Sequence, residues 1–246
     1  MEFGILGETP DLLAVDKPAG LLVHPTKPGG PRTLWEGLKD LLGYEIATGG
    51  QVSLINRLDR ETSGIVLVAK SAAAARSAGL AMQRGEIHKE YLALVMGWPD
   101  WTELRVDAPI ARRGDVMESE VWLERVVHPA GAPSRTRFRV EDRRTGPDGR
   151  KISLLRAWPE TGRTHQIRVH LAHAGFPVAG DKIYARGSRH YLEFIAGGWT
   201  PALQEALWFP RHALHCTRMG LHGTEWESVL PEDMRGWLNE PRCVRQ

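Results

Sequence analysis

The chain has 246 residues, 42% of them hydrophobic and 25% charged, which is an ordinary globular composition and sufficient for one large core or two small ones. Two cysteines without a CxxC spacing argue against a disulfide framework and structural zinc, and no signal peptide or membrane-spanning apolar run is present. The net charge of +2 permits a nucleic-acid partner without requiring one, so we expect a soluble, cytoplasmic protein.

The N-terminal segment predicts a hairpin followed by a helix. The run from Leu12 to Val15 predicts a buried strand, Asp16-Lys17-Pro18-Ala19-Gly20 predicts a turn, and the run from Leu21 to Val23 predicts the second arm. Thr33 and Glu36 have the spacing of a capping box and are followed by apolar residues at helical spacing. We therefore expect an amphipathic helix to begin directly after Thr33.

A charged stretch separates two runs that predict strands, Val52 to Ile55 and Ile65 to Ala69. It reads Asn56-Arg57-Leu58-Asp59-Arg60-Glu61-Thr62-Ser63-Gly64. Loops that are braced by buried strands commonly carry catalytic groups, and Asp59 is the candidate nucleophile or general base. From local composition alone, a structural ion pair between Asp59 and a neighbouring arginine is an equally good interpretation.

The remainder of the chain predicts one domain of the α+β class. An alanine-rich helix runs from Ser71 to Arg84 and ends before Gly85, and a buried strand spans Tyr91 to Met96. The region from Val121 to Trp158 alternates like antiparallel β structure. By default, Tyr91 is a core or half-buried aromatic residue.

The clearest concentration of positive charge lies in this alternating region. Because a strand repeats every two residues, Arg135, Arg137 and Arg139 share one face, and more basic residues follow between Arg143 and Lys151. Such a surface can follow RNA phosphates. Acidic residues are interspersed, so an ordinary solvated strand face is an equally good interpretation.

A second polar motif, Thr161 to Arg168, joins a predicted strand to a short helix that ends at Gly175. Thr164 is the predicted cap of that helix. An arginine at the start of a helix is unfavourably placed for the helix dipole, which suggests a negative partner, either Asp59 or an RNA phosphate. An ordinary surface arginine is the alternative.

We expect neither a metal nor a cofactor. His165, His170 and His173 lie close in sequence, but His165 and His170 are five residues apart and do not share a helix face. No cysteine or carboxylate nearby completes a ligand set. The sequence also contains no P-loop, no dinucleotide-binding glycine pattern and no nucleophile elbow.

Taken together, the motifs resemble those of the RluA-type family of pseudouridine synthases, which modify ribosomal and transfer RNA. The resemblance spans most of the chain, and four motifs occur in the family's order: Asp16 to Gly20, Asn56 to Gly64, Lys89-Glu90-Tyr91, and Gly162 to Leu171. The Arg-Leu-Asp-x-x-Thr-Ser-Gly core is a strong signal, whereas the Lys-Pro-x-Gly turn alone is weak.

The resemblance implies a mixed, mostly antiparallel sheet flanked by helices, and an enzyme that isomerises uridine in rRNA or tRNA without a cofactor. Asp59 would be the catalytic carboxylate, Tyr91 the aromatic that packs on the target base, and Arg168 the cation that holds Asp59. Arg57 would fill the gap left by the flipped uridine. These roles match the chemistry, because a base must leave its stack to react.

Two departures from the family pattern affect these expectations. Asn56 stands where many relatives have histidine, and we interpret it as structural because it keeps hydrogen-bonding groups but cannot titrate. Many relatives carry an N-terminal RNA-binding module, whereas we predict residues 1–246 to be one catalytic domain without such a module, acting as a monomer. RNA affinity would then come from the basic surface between Arg135 and Lys151.

Two other classes of function compete with this prediction. An RNA chaperone or assembly factor could use the same fold without chemistry at Asp59. A hydrolase could use Asp59 and Glu61 as paired carboxylates, although residues two apart in a turn are poorly placed to flank a scissile bond.

Overall fold

The computed structural model describes residues 2–146 and 148–238. Its strands are β1 (Gly4–Glu8), β2 (Leu12–Lys17), β3 (Ser53–Leu54), β4 (Ser63–Ala69), β5 (His88–Met96), β6 (Glu103–Asp107), β7 (Ile110–Arg112), β8 (Arg125–Val127), β9 (Arg135–Thr145), β10 (Lys151–Pro159), β11 (Leu214–Leu221) and β12 (Thr224–Glu227). Its helices are α1 (Leu34–Leu41), α2 (Gly43–Ala47), α3 (Ala72–Gln83), α4 (Arg113–Val116), α5 (Gln166–His173), α6 (Arg189–Gly197), α7 (Pro201–Leu207) and α8 (Glu232–Leu238).

The chain forms two compact units, each built from two stretches of sequence. The first contains residues 1–90 and 215–230, and the second contains residues 91–214 and 231–246. The prediction of a single domain stays a prediction. In the part of the chain that the structure describes, no helix is both long and apolar enough to cross a membrane.

The first unit is organised around β4, whose seven residues are all buried. Strands β1, β2, β4 and β11 lie in that order, and β3 and β12 pair with β4 and β11 respectively. Strands β4 and β11 are parallel, and Gly64 faces Cys216 across this pair. A β-carbon at Gly64 would overlap the backbone carbonyl oxygen of Cys216, and its φ of +107° is one that side chains disfavour. The glycine at the end of the Thr-Ser-Gly motif is thus required by strand packing.

In the N-terminal hairpin, β2 pairs with a different segment from the one that the sequence predicts. Strand β2 is confirmed, but Leu21 to Val23 form no strand, and β1 is the antiparallel partner of β2 instead. The carbonyl oxygens of Leu22 and Val23 accept hydrogen bonds from the backbone N–H groups of Leu34 and Trp35, at 2.8 and 3.1 Å. The segment is therefore held by the first turn of α1 rather than by a strand.

Helices α1 and α3 of the first unit begin where the sequence predicts. Thr33 and Glu36 form the reciprocal capping box at the start of α1, and Leu34 and Leu38 are fully buried. The hydroxyl oxygen of Ser71 caps α3 by accepting from the N–H of Ala74 at 3.1 Å.

The second unit contains an antiparallel sheet in the order β5, β10, β9, β6, together with a two-stranded sheet of β7 and β8. Burial alternates along β9: Thr136, Phe138 and Val140 are buried, whereas Arg135 and Arg137 are exposed. The two units together confirm the predicted α+β class, with mostly antiparallel strands and flanking helices.

Candidate active site

The loop between β3 and β4 is anchored by a buried asparagine. The Nδ2 of Asn56 donates to the carbonyl oxygen of Ile65 at 3.0 Å, and its Oδ1 accepts from the N–H of Leu67 at 2.8 Å. Leu58 is buried two residues further along. Both the NH2 group and the oxygen of the Asn56 side chain therefore hydrogen-bond to the backbone of β4. This supports the interpretation of Asn56 as a structural residue.

Lys17, the last residue of β2, ties a second segment to this loop. Its side chain is fully buried, and Nζ donates to the carbonyl oxygens of Pro18, Leu21 and Arg60 at 2.9, 3.0 and 3.1 Å. The N–H of Gly20 donates to the Arg60 carbonyl at 2.8 Å, and Nε of Arg60 donates back to the Gly20 carbonyl at 3.1 Å. The Lys-Pro-x-Gly turn, which is weak as a sequence signal, therefore clamps the candidate catalytic loop.

Replacing Lys17 with methionine is expected to lower the free energy of unfolding by about 1–3 kcal/mol, because it removes the ammonium from three carbonyl oxygens in the clamp. Urea unfolding measures this loss, and amide hydrogen exchange should quicken between Asn56 and Ser63. The matched control is Lys151→Met at an exposed lysine, for which we expect little change. Unchanged exchange in the loop of the Lys17 variant would contradict the clamp.

A line of hydrogen bonds holds the end of the loop. The Oγ of Ser63 lies 3.0 Å from Nδ1 of His215, whose Nε2 lies 3.3 Å from the carbonyl oxygen of Ser228. The hydroxyl of Ser228 donates to Asp16 at 2.9 Å. Nε2 must carry a hydrogen to donate to the Ser228 carbonyl, and in that tautomer Nδ1 accepts from the hydroxyl of Ser63. Ser63, His215 and Ser228 are all buried, so this line fixes the first residue of β4.

Between these anchors, the loop displays two of the predicted site residues. Asp59 is partly exposed and Arg57 is exposed. The carbonyl oxygen of Asp59 accepts from the N–H of Thr62 at 3.1 Å, which closes a tight turn. The positive charge of Arg57 acts on His24, whose pKa is lowered first by burial and then by this arginine. The first unit therefore brings Arg57 and Asp59 together on one firmly held loop.

The other two predicted site residues belong to the second unit. Tyr91 is 8% exposed and lies opposite Ala157, which itself lies opposite Phe138. Residues paired across antiparallel strands share a face of the sheet, and Thr136 shares it with Phe138. The hydroxyl of Thr136 lies 2.8 Å from Nδ1 of His170 in α5. Tyr91 and α5 therefore lie on the same face of this unit's sheet.

The turn before α5 is held by Gln166, so the prediction of Thr164 as the cap was wrong. His165 occupies the position before the helix with a φ of 58°, and makes no capping hydrogen bond. The Oε1 of Gln166 accepts from the hydroxyl of Thr161 at 2.7 Å and from the N–H of Arg163 at 3.0 Å. A side chain from the first helical residue thus folds back and holds the turn that precedes the helix.

Arg168 is buried and makes a bidentate ion pair with Asp181. Its Nε and Nη2 donate to the two carboxylate oxygens at 2.6 and 2.9 Å, and its guanidinium carbon lies 5.1 Å from the centre of the Tyr184 ring. Asp181 is fully buried and also accepts from the N–H groups of Ile183 and Tyr184. Burial alone would raise the pKa of Asp181, but the Arg168 charge and these hydrogen bonds hold it below its ordinary value. Asp181 therefore fixes the orientation of Arg168.

The histidines of this region make hydrogen bonds within the second unit. The Nε2 of His170 lies 3.0 Å from the carbonyl oxygen of Ala108, and burial lowers the pKa of this ring. The Nδ1 of His165 lies 2.8 Å from the hydroxyl of Tyr184. Within residues 2–146 and 148–238, no three histidine, cysteine, aspartate or glutamate side chains are grouped so that they could hold a metal ion.

The residues of the predicted basic surface make contacts within the second unit, four of them with carboxylates. The arginines of β9 have these partners: Glu160 for Arg135 at 3.6 Å, Glu141 for Arg139 at 2.8 Å, and the ring of Trp158 for Arg137 at 4.6 Å. The segment that follows is similar: Arg143 donates to the Pro99 and Trp101 carbonyls, Arg144 pairs with Asp142, Arg150 pairs with Asp148, and Lys151 lies over Trp98. These contacts favour the interpretation as a structural face.

The register also places the β9 arginines away from Tyr91. Arg139 lies opposite Arg156, and Arg156 lies opposite Leu92, the residue after Tyr91. Because consecutive strand residues point to opposite faces, the arginine face is the reverse of the face that carries Tyr91.

The comparisons with known proteins define the class. The family model described as RNA pseudouridylate synthase matches residues 11–173, which include the clamp, the loop with Asp59, Tyr91 and Arg168. The chain therefore belongs to the RNA pseudouridine synthase family, a class of enzymes that isomerise uridine within RNA. Its similarity to curated relatives places it in the RluA-type branch.

Two relatives and one solved structure illustrate this similarity. The chain is 35% identical to the ribosomal large subunit pseudouridine synthase D of Yersinia pestis, over 96% of this chain and 69% of that protein. It is 36% identical to the protein of the same name from Nitrosomonas europaea, over 97% of this chain and 65% of that protein. The chain thus spans about two thirds of the length of these relatives. The human RNA pseudouridylate synthase domain containing 4 has the same fold, with a TM-score of 0.72, 23% identity, and coverage of 96% of this chain and 91% of that one.

Proposed function

We propose that this protein converts uridine to pseudouridine in ribosomal large-subunit RNA and that Asp59 is its catalytic carboxylate. The observation that carries the proposal is the loop from Asn56 to Gly64, which is held at both ends by buried hydrogen bonds and presents Asp59 partly exposed between them. Rigid support of a displayed carboxylate is what a positioned catalytic group requires. The names of the two bacterial relatives favour rRNA over tRNA as the substrate.

The other predicted residues complete the proposed site. Tyr91 packs on the target base, and Arg168, oriented by Asp181, supplies the positive charge that keeps Asp59 ionised. Arg57 occupies the space that the uridine leaves when it flips out of its stack. The protein works as a monomer in the cytoplasm, and no cofactor enters the reaction.

The chemistry is an isomerisation whose atoms balance without a second substrate. The bond between ribose C1′ and uracil N1 breaks, the ring turns, and C5 forms the new bond to C1′. The hydrogen on C5 leaves as a proton, and N1 carries a proton in the product. Asp59 supplies the anion for the step that requires one, whether that step takes place at the sugar or at the base.

The loss of the C5 hydrogen provides the test. Large-subunit rRNA transcribed with tritium at uracil C5 should release tritium to water when it is incubated with the protein, and no free uracil should form. Parallel incubation with tRNA transcripts compares the two substrate classes. Tight RNA binding without tritium release would support an RNA chaperone, and free uracil would support a hydrolase.

A further inference from the structure

The β9 arginines are partnered and face away from Tyr91, so RNA flanking the target needs another positively charged surface. The first unit contains a candidate next to the loop that carries Arg57 and Asp59. It comprises His24, Trp35, Lys39 and Arg57, together with the exposed Lys27 in the segment that follows His24, and we call it the α1 patch. It is built from the segment that follows the clamp, from one side of α1, and from the loop itself.

Backbone contacts hold the α1 patch against the catalytic loop. Gly20 is bonded to Arg60 in both directions, and the segment that follows is tied to the first turn of α1 through Leu22 and Val23. His24 comes directly after these contacts and lies close enough to Arg57 for that charge to lower its pKa. The segment that carries His24 is therefore bonded both to the loop and to α1.

The side chains of the α1 patch combine cations with aromatic rings. The ring centres of His24 and Trp35 are 6.1 Å apart, and Nζ of Lys39 lies 3.8 Å from the centre of the Trp35 ring. Lys27 and Arg57 are exposed. Proteins that bind single-stranded nucleic acid commonly combine cationic and aromatic side chains. The bases stack on the aromatic rings, and the phosphates contact the cations.

The charges of the α1 patch are also available to a ligand. Among the described residues, no carboxylate lies within 4.0 Å of the cationic nitrogens of Lys27, Lys39 or Arg57. The nearby carboxylate of Glu36 accepts from the backbone and side chain of Thr33 in the capping box, and these hydrogen bonds lower its pKa more than the charge of Lys39 does. This contrasts with Arg135 and Arg139 of β9, which lie beside glutamates, whereas Arg137 lies over the ring of Trp158 as Lys39 lies over that of Trp35.

We infer that the α1 patch binds the single-stranded RNA that flanks the target uridine. The inference rests on the proposed function for its orientation, because Arg57 is the residue proposed to enter the gap in the RNA. Partial desolvation and the Arg57 charge lower the pKa of His24, and its ring, 6.1 Å from that of Trp35, offers a flat surface to a base. Lys27 and Lys39 contact phosphates.

The test compares two double variants that each remove two positive charges. Binding of fluorescein-labelled oligouridine is measured over a series of salt concentrations for the unmodified protein, for Lys27→Gln with Lys39→Gln, and for Arg135→Gln with Arg137→Gln. Losing two phosphate contacts to a single strand should flatten the slope of log affinity against log salt by about 1.4. We expect this change in the α1 patch variant only.

The outcomes separate this inference from the proposed function. Thermal unfolding first checks that both variants fold like the unmodified protein. An unchanged salt slope in the Lys27 and Lys39 variant, or an equal change in the β9 variant, would overturn the inference even if tritium release is normal. If the unmodified protein binds oligouridine but releases no tritium from any RNA, the proposed activity is wrong. The salt dependence of oligouridine binding by the two double variants then still tests whether the α1 patch binds RNA.

Discussion

Asp59→Asn is expected to reduce the rate constant of product formation to below about one ten-thousandth of the normal value while RNA affinity stays nearly unchanged. The substitution keeps the size of the side chain and some of its hydrogen bonding but removes the anion. Because the loop is held by Asn56, Lys17 and Ser63 rather than by the Asp59 carboxylate alone, its fold should survive. Single-turnover tritium release with the enzyme in excess over RNA measures the chemical step directly.

The matched control for this variant is Glu61→Gln in the same loop. It makes the same chemical change two residues away, so any general effect of lost negative charge on RNA binding appears in both variants. We expect the Glu61 variant to keep most of the rate. Comparable losses at Asp59 and Glu61 would contradict a single catalytic carboxylate and favour the paired-carboxylate alternative.

Asp181→Asn is expected to lower the free energy of unfolding at neutral pH by about 3–5 kcal/mol. The variant removes from the buried Arg168 a fully buried carboxylate that accepts two of its hydrogen bonds, and weakening a buried ion pair in this way is costly. Urea unfolding measures the loss. The control is Glu227→Gln, which removes a carboxylate paired with Arg218; both of these side chains are exposed, so the loss should be much smaller.

The pH dependence of the Asp181 variant has a definite sign. The folded-state pKa of Asp181 lies below its ordinary value, so the ion pair stabilises the protein fully above about pH 4 and loses this effect as the pH falls through the lower folded pKa. The difference in stability between the unmodified protein and Asp181→Asn should therefore be greatest near neutral pH and narrow in acid. A difference that is constant down to acid pH would contradict the assignment of the ion pair.

Much of the fold could be predicted because the signals are local. The capping box at Thr33, the alanine-rich helix from Ser71 and the alternation along β9 each depend on residues within one element, and the structure confirms all three. The predicted strand from Leu21 to Val23 failed because apolar content alone does not specify a partner, and its backbone groups bond to α1. The same limit explains why β1 was not predicted as the partner of β2.

The candidate site is held by contacts between residues that are distant from one another in the sequence. Lys17 reaches the carbonyl oxygen of Arg60, and His215 reaches Ser63 from the far end of the chain. Asp181 was missed as the partner of Arg168, although a carboxylate directly after the apolar Val178-Ala179 and Gly180 is a signal that could have pointed to it. The partners of the basic surface could not be identified by counting arginines, because Arg135 pairs with Glu160 just after β10, whereas Arg139 pairs with Glu141 two residues along the same strand.

The central claim is that this protein makes pseudouridine and that Asp59 is needed for it. The most direct measurement is to incubate unmodified total bacterial RNA with the protein or with Asp59→Asn, and to map pseudouridine by reverse-transcription stops after carbodiimide labelling. The account predicts new stops in large-subunit rRNA with the unmodified protein and none with the variant. The same stops with Asp59→Asn, or no stops with either protein while RNA binding is retained, would contradict it.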